Sequence, residues 1–104
     1  MTREEKNVFL ARFLGGTIHE PSTLFPMGWV LFPDKPSEMF CFKHHVKFDT
    51  DWNWFQLPYQ KAFNSDELDT GAKIIANARI CGAFRKNNVK EACDVLIQLI
   101  QNHL

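Results

Sequence analysis

The adjacent histidines His44 and His45 are the most conspicuous candidates for chemistry in this sequence. Imidazoles and thiolates are the usual ligands of zinc, and Cys41 lies three residues before His44. On a β-strand, neighbouring side chains point to opposite faces, so His44 and His45 cannot hold the same ion. Cys41 and His45 would share a face but lie about 13 Å apart along an extended strand. The spacing therefore predicts no metal site, with His44 as a hydrogen-bonded core residue and His45 as an exposed one.

Catalysis has no local signature in the chain. A reactive cysteine needs a base and an orienting group, and nothing close in sequence to a cysteine supplies them. Asp49 and Asp51 are explained better as helix caps than as a catalytic carboxylate pair, because their charge favours a helix N-terminus. Sequences typical of phosphate loops, α/β-hydrolases and zinc proteases are missing. We therefore expect no catalytic residue and no cofactor, and keep as an alternative a small enzyme assembled from distant residues such as His19, His44 and Asp49.

A short basic row is the feature that would suit nucleic acid. The row consists of every second residue of a predicted β-strand, so its side chains would share the outer face: Lys43, His45 and Lys47. Such a face resembles a platform that binds single-stranded nucleic acid. A solvated strand face explains the same pattern, and lysine on an edge strand also opposes aggregation. The chain carries 12 basic and 12 acidic residues, whereas phosphate binding usually needs a basic excess. Nucleic-acid binding is therefore a disfavoured alternative.

The aromatic content points to either a core or a partner surface. The sequence has ten Phe and three Trp but one Tyr, and Phe and Trp bury large apolar areas in cores and interfaces. We expect mainly a Phe-rich core. The alternative is an exposed aromatic patch that binds another protein, for which Trp52 and Trp54 are the candidate residues.

Three helices are predicted from apolar spacing and capping signals. The first spans residues 3–14, opens with the capping-box spacing of Thr2 and ends at a Gly-Gly pair. The second spans 52–63 and should kink at Pro58, with a helix that starts near Pro58 as the alternative. The third spans 89–102 and carries a broad apolar stripe.

Three strands complete the predicted fold, and residues 17–26 are expected to form a loop. One strand lies at 27–32, and a wide hairpin loop leads to a second at 39–48, whose even-numbered residues should face the core. A weak alternation predicts a third over 72–84, although its alanines suit a helix equally. The order α-β-β-α-β-α predicts one α/β domain over residues 1–104, a small three-layer α-β-α sandwich, with a two-layer α+β arrangement as the alternative.

The cysteines, the apolar runs and the net charge lead to expectations about cellular location and oligomeric state. The three cysteines are odd in number, the chain has no Cys-x-x-Cys, and no signal peptide is recognised, so we expect reduced thiols in the cytoplasm. The apolar runs are shorter than the roughly 18 residues of a membrane span, so no membrane association is expected. The zero formal net charge lessens repulsion between copies and favours a homo-oligomer.

Two segments carry a resemblance to a known family. Residues 48–54, Phe-Asp-Thr-Asp-Trp-Asn-Trp, with Pro58 soon after, resemble the Trp-x-Trp helix start of a phage-associated α/β/α sandwich domain family, and residues 89–100 are similar to its C-terminal helix. The resemblance covers roughly the second half of the chain and the placing of the first helix. The family occurs in phages and in bacterial genomes, including those of gut Bacteroides relatives, and has no assigned activity. The resemblance implies a three-layer sandwich with a proline inside a helix, and no site residues.

The leading hypothesis is an uncharacterised phage- or prophage-related accessory protein that acts as a non-catalytic protein-interaction domain. It rests on the missing catalytic motifs, the aromatic surplus and the family resemblance. It requires that Trp52 or Trp54 be partly exposed, or that an apolar patch lie elsewhere on the surface. The identity of the protein partner does not follow from the sequence.

Overall fold

The computed structural model describes residues 1–19, 28–42 and 45–103. Within them the order of elements is α1 (Arg3–Phe13), β1 (Thr17–His19), β2 (Trp29–Phe32), β3 (Lys35–Cys41), α2 (Trp52–Phe63), α3 (Thr70–Arg85) and α4 (Val89–His103). The chain divides into two compact units, residues 1–48 and 49–104. The first holds α1 and the sheet, and the second holds the other three helices. The single domain predicted over the whole chain stays a prediction.

Helix α1 begins at Arg3 as its capping signals predict and ends at Phe13, one residue before the predicted end. The Thr2 hydroxyl accepts a hydrogen bond from the Glu5 N–H (3.2 Å), and the Glu5 carboxylate accepts one from the Thr2 N–H (3.3 Å), which completes a capping box. Gly15 ends the helix in the left-handed region with φ 83°, which favours glycine. A Cβ on Gly16 would lie 2.8 Å from the Ala11 carbonyl oxygen and 2.7 Å from a Val30 methyl group, so only glycine lets the chain enter β1 here.

The sheet is an antiparallel meander in the order β1-β2-β3. The loop predicted over 17–26 is wrong at Thr17–His19, which pairs with β2, and residues 20–27 lie outside the described part of the chain. A two-residue turn at Pro33 and Asp34 replaces the wide hairpin loop, because Phe32 already pairs with Lys35. The register then shifts before Met39, and this irregularity absorbs the extra residues of β3.

The strand predicted over 39–48 is wrong beyond Cys41. The Cys41 carbonyl accepts hydrogen bonds from the N–H groups of His45 (2.9 Å) and Val46 (3.3 Å), and the Cys41 N–H donates to Nδ1 of His45 (3.1 Å). These bonds close a tight turn that an extended chain cannot make. Burial still follows part of the predicted alternation, since Val46 and Phe48 are buried and Lys47 is exposed. Cys41, which was expected to face water, is buried.

A buried asparagine ties the end of the first unit to its first helix. Asn7 is 2% exposed; its Nδ2 donates to the Arg3 carbonyl (3.2 Å), and its Oδ1 accepts from the Phe48 N–H (3.1 Å). The second bond spans 41 residues of sequence and pairs a backbone group that is itself buried. The buried apolar side chains of this unit are Leu10, Ala11, Val30, Phe32, Cys41, Phe42, Val46 and Phe48.

Helix α2 begins and ends as predicted. The Asp51 carboxylate caps it by accepting a hydrogen bond from the Asn53 N–H (2.8 Å). The helix runs through Pro58, which is fully buried, so the alternative of a start near Pro58 is wrong. Proline has no N–H to donate, so the Trp54 carbonyl lacks the hydrogen bond that residue 58 would otherwise make within the helix.

Residues 72–84 are helical, and the predicted third strand is wrong. The Asp69 carboxylate caps α3 through the Ala72 N–H (2.9 Å), and the buried residues Ala76, Ile80 and Ala83 follow helical spacing. The alternation that favoured a strand therefore mixes buried and exposed positions. The alanine content, which has the highest helix propensity, was the better signal.

Helix α4 follows α3 after a three-residue turn and forms a helical hairpin with it. Asn87 takes the left-handed conformation with φ 54°, and the Asn88 carboxamide oxygen accepts from the Glu91 N–H (3.1 Å) to cap the new helix. Both α2 and α3 pack on α4. Its buried residues are Ala92, Cys93, Val95, Leu96, Ile97, Leu99 and Ile100.

The observed order is α-β-β-β-α-α-α, with mixed α/β content, rather than the predicted α-β-β-α-β-α. The three-layer sandwich stays a prediction. Among the described residues, no helix combines the length and apolarity needed to cross a bilayer.

We predict that Asn7→Leu lowers the free energy of unfolding by about 1–3 kcal/mol, because it leaves the buried Phe48 N–H without its acceptor. Urea unfolding followed by circular dichroism measures the change. The control is Arg12→Leu at an exposed position of the same helix, which should change the free energy by less than about 0.5 kcal/mol. Equal stabilities of the two variants would contradict the role assigned to Asn7.

Candidate functional site

Helix α3 presents an apolar surface to solvent, and this surface is the candidate site of the second unit. Ile74 and Ile75 are each 67% exposed, and Ala78 and Cys81 follow them at helical spacing and are also exposed. A Cβ added at Gly82 would have no heavy atom within 4 Å, so the space beside that residue is open. We call Ile74, Ile75, Ala78, Cys81 and Gly82 the α3 stripe.

The inner side of α3 explains why the stripe faces outward. Ala76, Ile80 and Ala83 occupy the buried side, where their small volume lets α3 pack on α4. A helix can bury one side only against a neighbour, so the residues on the opposite side remain in water. Scattered apolar residues on a surface are ordinary, but two isoleucines and an exposed thiol in one row form a contiguous patch.

The two tryptophans predicted as binding residues are half-buried in α2. The indole N–H of Trp52 donates to the Asn87 side-chain oxygen (2.8 Å), and its ring meets those of Phe55 (5.6 Å) and Phe84 (5.1 Å) edge-on. Trp52 therefore holds the turn between α3 and α4. The partial exposure required by the interaction hypothesis is present, but a binding role for Trp52 and Trp54 stays a prediction.

Phe84 extends the apolar surface near the end of α3. It is 63% exposed, and its inner edge rests on the Trp52 ring. The contact fixes the phenyl ring in position, so a partner that covers it would not have to order it first. Phe84 thus forms a preorganised flank of the surface.

A tyrosine joins the aromatic row of α2 to the body of α3. The Tyr59 ring lies 5.7 Å from that of Phe55 and 4.6 Å from that of Phe63, and its hydroxyl donates to the Asn77 side-chain oxygen. Burial raises the pKa of Tyr59 above its usual value, and the nearby Cys81 raises that pKa further when it is charged.

An open groove of about 220 Å³ lies between α3 and α4, beside the stripe. Ile75 and Leu99 form part of its apolar floor, and Arg79 and His103 lie among its polar lining residues. The groove is too open to exclude water from a reacting group. It extends the surface available for contact and does not form a reaction chamber.

The strand predicted to carry the basic row stops short of it. Cys41 ends the strand, so His45 and Lys47 do not lie on a strand face, although both are exposed. His45 Nδ1 is held by the Cys41 N–H within the turn. Lys43 lies outside the described residues, as does His44. The strand face predicted for His45 and Lys47 is therefore wrong, and nucleic-acid binding by this segment stays a prediction.

Of the residues considered for an assembled enzyme, the structure describes His19 and Asp49, and His44 lies outside the described part of the chain. His19 belongs to the first unit, where its ring stacks on Trp29 at 3.8 Å, and Asp49 is a buried residue at the start of the second. The His19 Nε2 atom is buried and has no hydrogen-bond partner in the described structure. In the described part of the chain, no three His, Cys, Asp or Glu side chains cluster as metal ligands would.

Sequence reasoning missed the α3 stripe because it read residues 72–84 as a strand. On a strand, Ile74 and Ile75 would point to opposite faces, which separates two residues that are both exposed on the helix. A better signal was present in the small residues Ala76 and Ala83, whose spacing marks a helix face that packs closely. Reading that face first would have left the isoleucines outside.

Comparison with protein-family models, with curated proteins and with solved structures finds no match to this chain. The resemblance to the phage-associated family stays a prediction.

We predict that Tyr59, the one tyrosine of the chain, ionises in the folded protein at a pH above the usual value of about 10. Phenolate absorbance near 295 nm measures the midpoint, and the denatured chain serves as the control. The folded state holds the phenol proton of Tyr59 more tightly than the unfolded chain does. The contribution of Tyr59 to folding stability is therefore fully present below the pKa of the unfolded chain, and it is lost as the pH rises through the pKa of the folded chain. Cys81→Ser should lower the native midpoint without restoring the usual value, since burial remains. Equal midpoints in native and denatured chains would contradict the burial of this phenol.

Proposed function

We propose that this protein is a non-catalytic protein-interaction domain that binds its partner through the α3 stripe and the neighbouring Phe84. The exposure of Ile74 and Ile75 carries the proposal. Full burial of an isoleucine side chain contributes about 1.5–3 kcal/mol, and these two residues retain most of that contribution for a partner.

The chemistry of the surface favours a protein as the partner. The centre of the surface is apolar, and the exposed side chains of Arg79 and Arg85 belong to the same helix. Protein interfaces likewise combine an apolar core with a polar rim. Aromatic and arginine side chains are also the residues that most often dominate binding energy. A phosphate backbone would instead need a surplus of positive charge, which this chain lacks.

The proposal includes the phage- or prophage-related role implied by the resemblance of residues 48–54 and 89–100. It does not depend on the three-layer sandwich, which stays a prediction. Neighbouring genes that encode tail, head or replication proteins would support this role, and neighbours of ordinary cellular metabolism would contradict it.

We predict that the immobilised chain retains a specific protein from a lysate of its source cell, and that Ile74→Asp/Ile75→Asp abolishes the retention. Two carboxylates at the centre of the contact would have to be buried without partners, which is strongly unfavourable. Mass spectrometry identifies the retained protein.

Gln101→Asp is the matched control, because it adds a carboxylate at an exposed position of α4 away from the stripe. Retention should survive this substitution. Circular dichroism checks that all variants remain helical. Equal retention by the double variant and the wild type would place the interaction surface elsewhere.

A further inference from the structure

We infer that the occupant of the α3 stripe is a second copy of this chain, whose α3 packs antiparallel on the first about a two-fold axis near Ala78. The inference rests on the proposed function, because it uses the same surface and names the partner. Two features are self-complementary, namely the shape of the stripe and the charges at the two ends of α3, and the zero net charge of the chain does not oppose association.

The shape of the stripe suits antiparallel packing of two identical helices. A two-fold axis at Ala78 brings together residues that lie equally far before and after it. Ile74 of one copy then meets Gly82 of the other, and Ile75 meets Cys81. The space beside Gly82 is open, so it can receive an isoleucine side chain, and Ala78 lets the two backbones approach closely.

The charges on α3 and its flanks are arranged oppositely at its two ends. Glu67 and Asp69 are exposed just before the helix begins, and Arg85 is exposed at its last residue. Antiparallel packing places Arg85 of each copy beside the acidic end of the other, and it aligns the helix dipoles favourably. Parallel packing would instead place like charges together, so the charge pattern selects the antiparallel arrangement.

The whole chain presents no electrostatic barrier to self-association. Its 12 basic and 12 acidic residues cancel, so two copies do not repel each other at long range. A partner of a different kind would need its own reversed charge pattern, whereas a second copy supplies the pattern by symmetry. This argument favours a homodimer over another protein.

The size of the contact sets the expected strength. The 16 residues of α3 span about 24 Å, so one helix pair falls at or below the small end of the roughly 1,200–2,000 Å² buried in stable interfaces. We therefore expect a weak dimer with a dissociation constant in the range of about 1–100 µM. Dimer and monomer should exchange quickly on dilution.

Sedimentation velocity from about 1 to about 500 µM tests the inference on the full-length chain. The wild type should shift from monomer to dimer across this range. Glu67→Arg and Arg85→Glu should each weaken self-association about fivefold or more, because each creates two like-charge contacts per dimer. The double variant should restore self-association, since it exchanges the two charges without altering their pairing.

A second experiment separates self-association from folding. Gly82→Gln adds a side chain into open space and replaces a helix-interior glycine, so it should keep or raise the thermal unfolding temperature while it blocks Ile74 of the second copy. Ala78→Cys in a Cys81→Ser background should form a disulfide-linked dimer under mild oxidation, because the two thiols meet at the axis. Gln101→Cys in the same background is the control and should stay monomeric.

Wild-type chain that stays monomeric over the whole range overturns the inference, as does equal self-association of the wild type and both single charge variants. Equal crosslinking at positions 78 and 101 also overturns it. If the chain stays monomeric but its stripe still retains another protein in an Ile74-dependent way, the second copy is excluded and the proposed interaction function stands. If the chain dimerises and Gly82→Gln does not weaken the dimer, the two copies meet at another surface and the inference is overturned, whereas the retention experiment with Ile74→Asp/Ile75→Asp still decides the proposed function.

Discussion

The packing of α3 on α4 through small side chains is the constraint on which the second unit depends. Ala76 and Ala83 let the two helices approach closely, and Ile80 fills the space between them. Helix α4 also packs on α2, and seven of its 15 residues are buried. Nothing in this arrangement covers the far side of α3 within the unit. The exposed isoleucines are therefore a consequence of how the core is built, and they are available to a partner.

The helices were predictable where capping and apolar spacing agreed. Thr2 and Glu5 form the capping box that their spacing indicates, α2 has its predicted boundaries, and α4 extends one residue beyond the predicted end. In each case the signal is local, because a cap involves residues two or three positions apart. Pro58 did not prevent the prediction, since helical residues continue on both sides of it.

The strands were harder to predict, because tertiary contacts decide them. The alternation predicted over 39–48 agrees with the burial of Val46 and Phe48. However, the hydrogen bonds from the N–H groups of His45 and Val46 to the Cys41 carbonyl form a turn, so these residues do not continue the strand. Strand β1 is three residues long and forms because β2 pairs with it, which no local pattern shows. Over 72–84 the alternation was too weak to outweigh helix propensity and the Asp69 cap.

The candidate site was likewise predictable where the signal is local and not where tertiary contacts decide. Partial exposure of Trp52 and Trp54 agrees with a Phe- and Trp-rich chain that keeps some aromatic surface in water, but the contact of Trp52 with Asn87 depends on the α3–α4 turn. The strand that was predicted to carry the basic row ends at Cys41, so His45 and Lys47 do not lie on a strand. The α3 stripe depends on which side of a helix is buried, and one misassigned element was enough to hide it.

Counting the thiols that react with DTNB in the native chain tests the outward position of α3 most directly. Cys81 is exposed, whereas Cys41 and Cys93 are buried. At a low concentration of protein, one thiol per chain should react quickly, and all three should react after unfolding. A native chain in which no thiol reacts until it unfolds would mean that the stripe is covered within the chain itself and would contradict its availability to a partner.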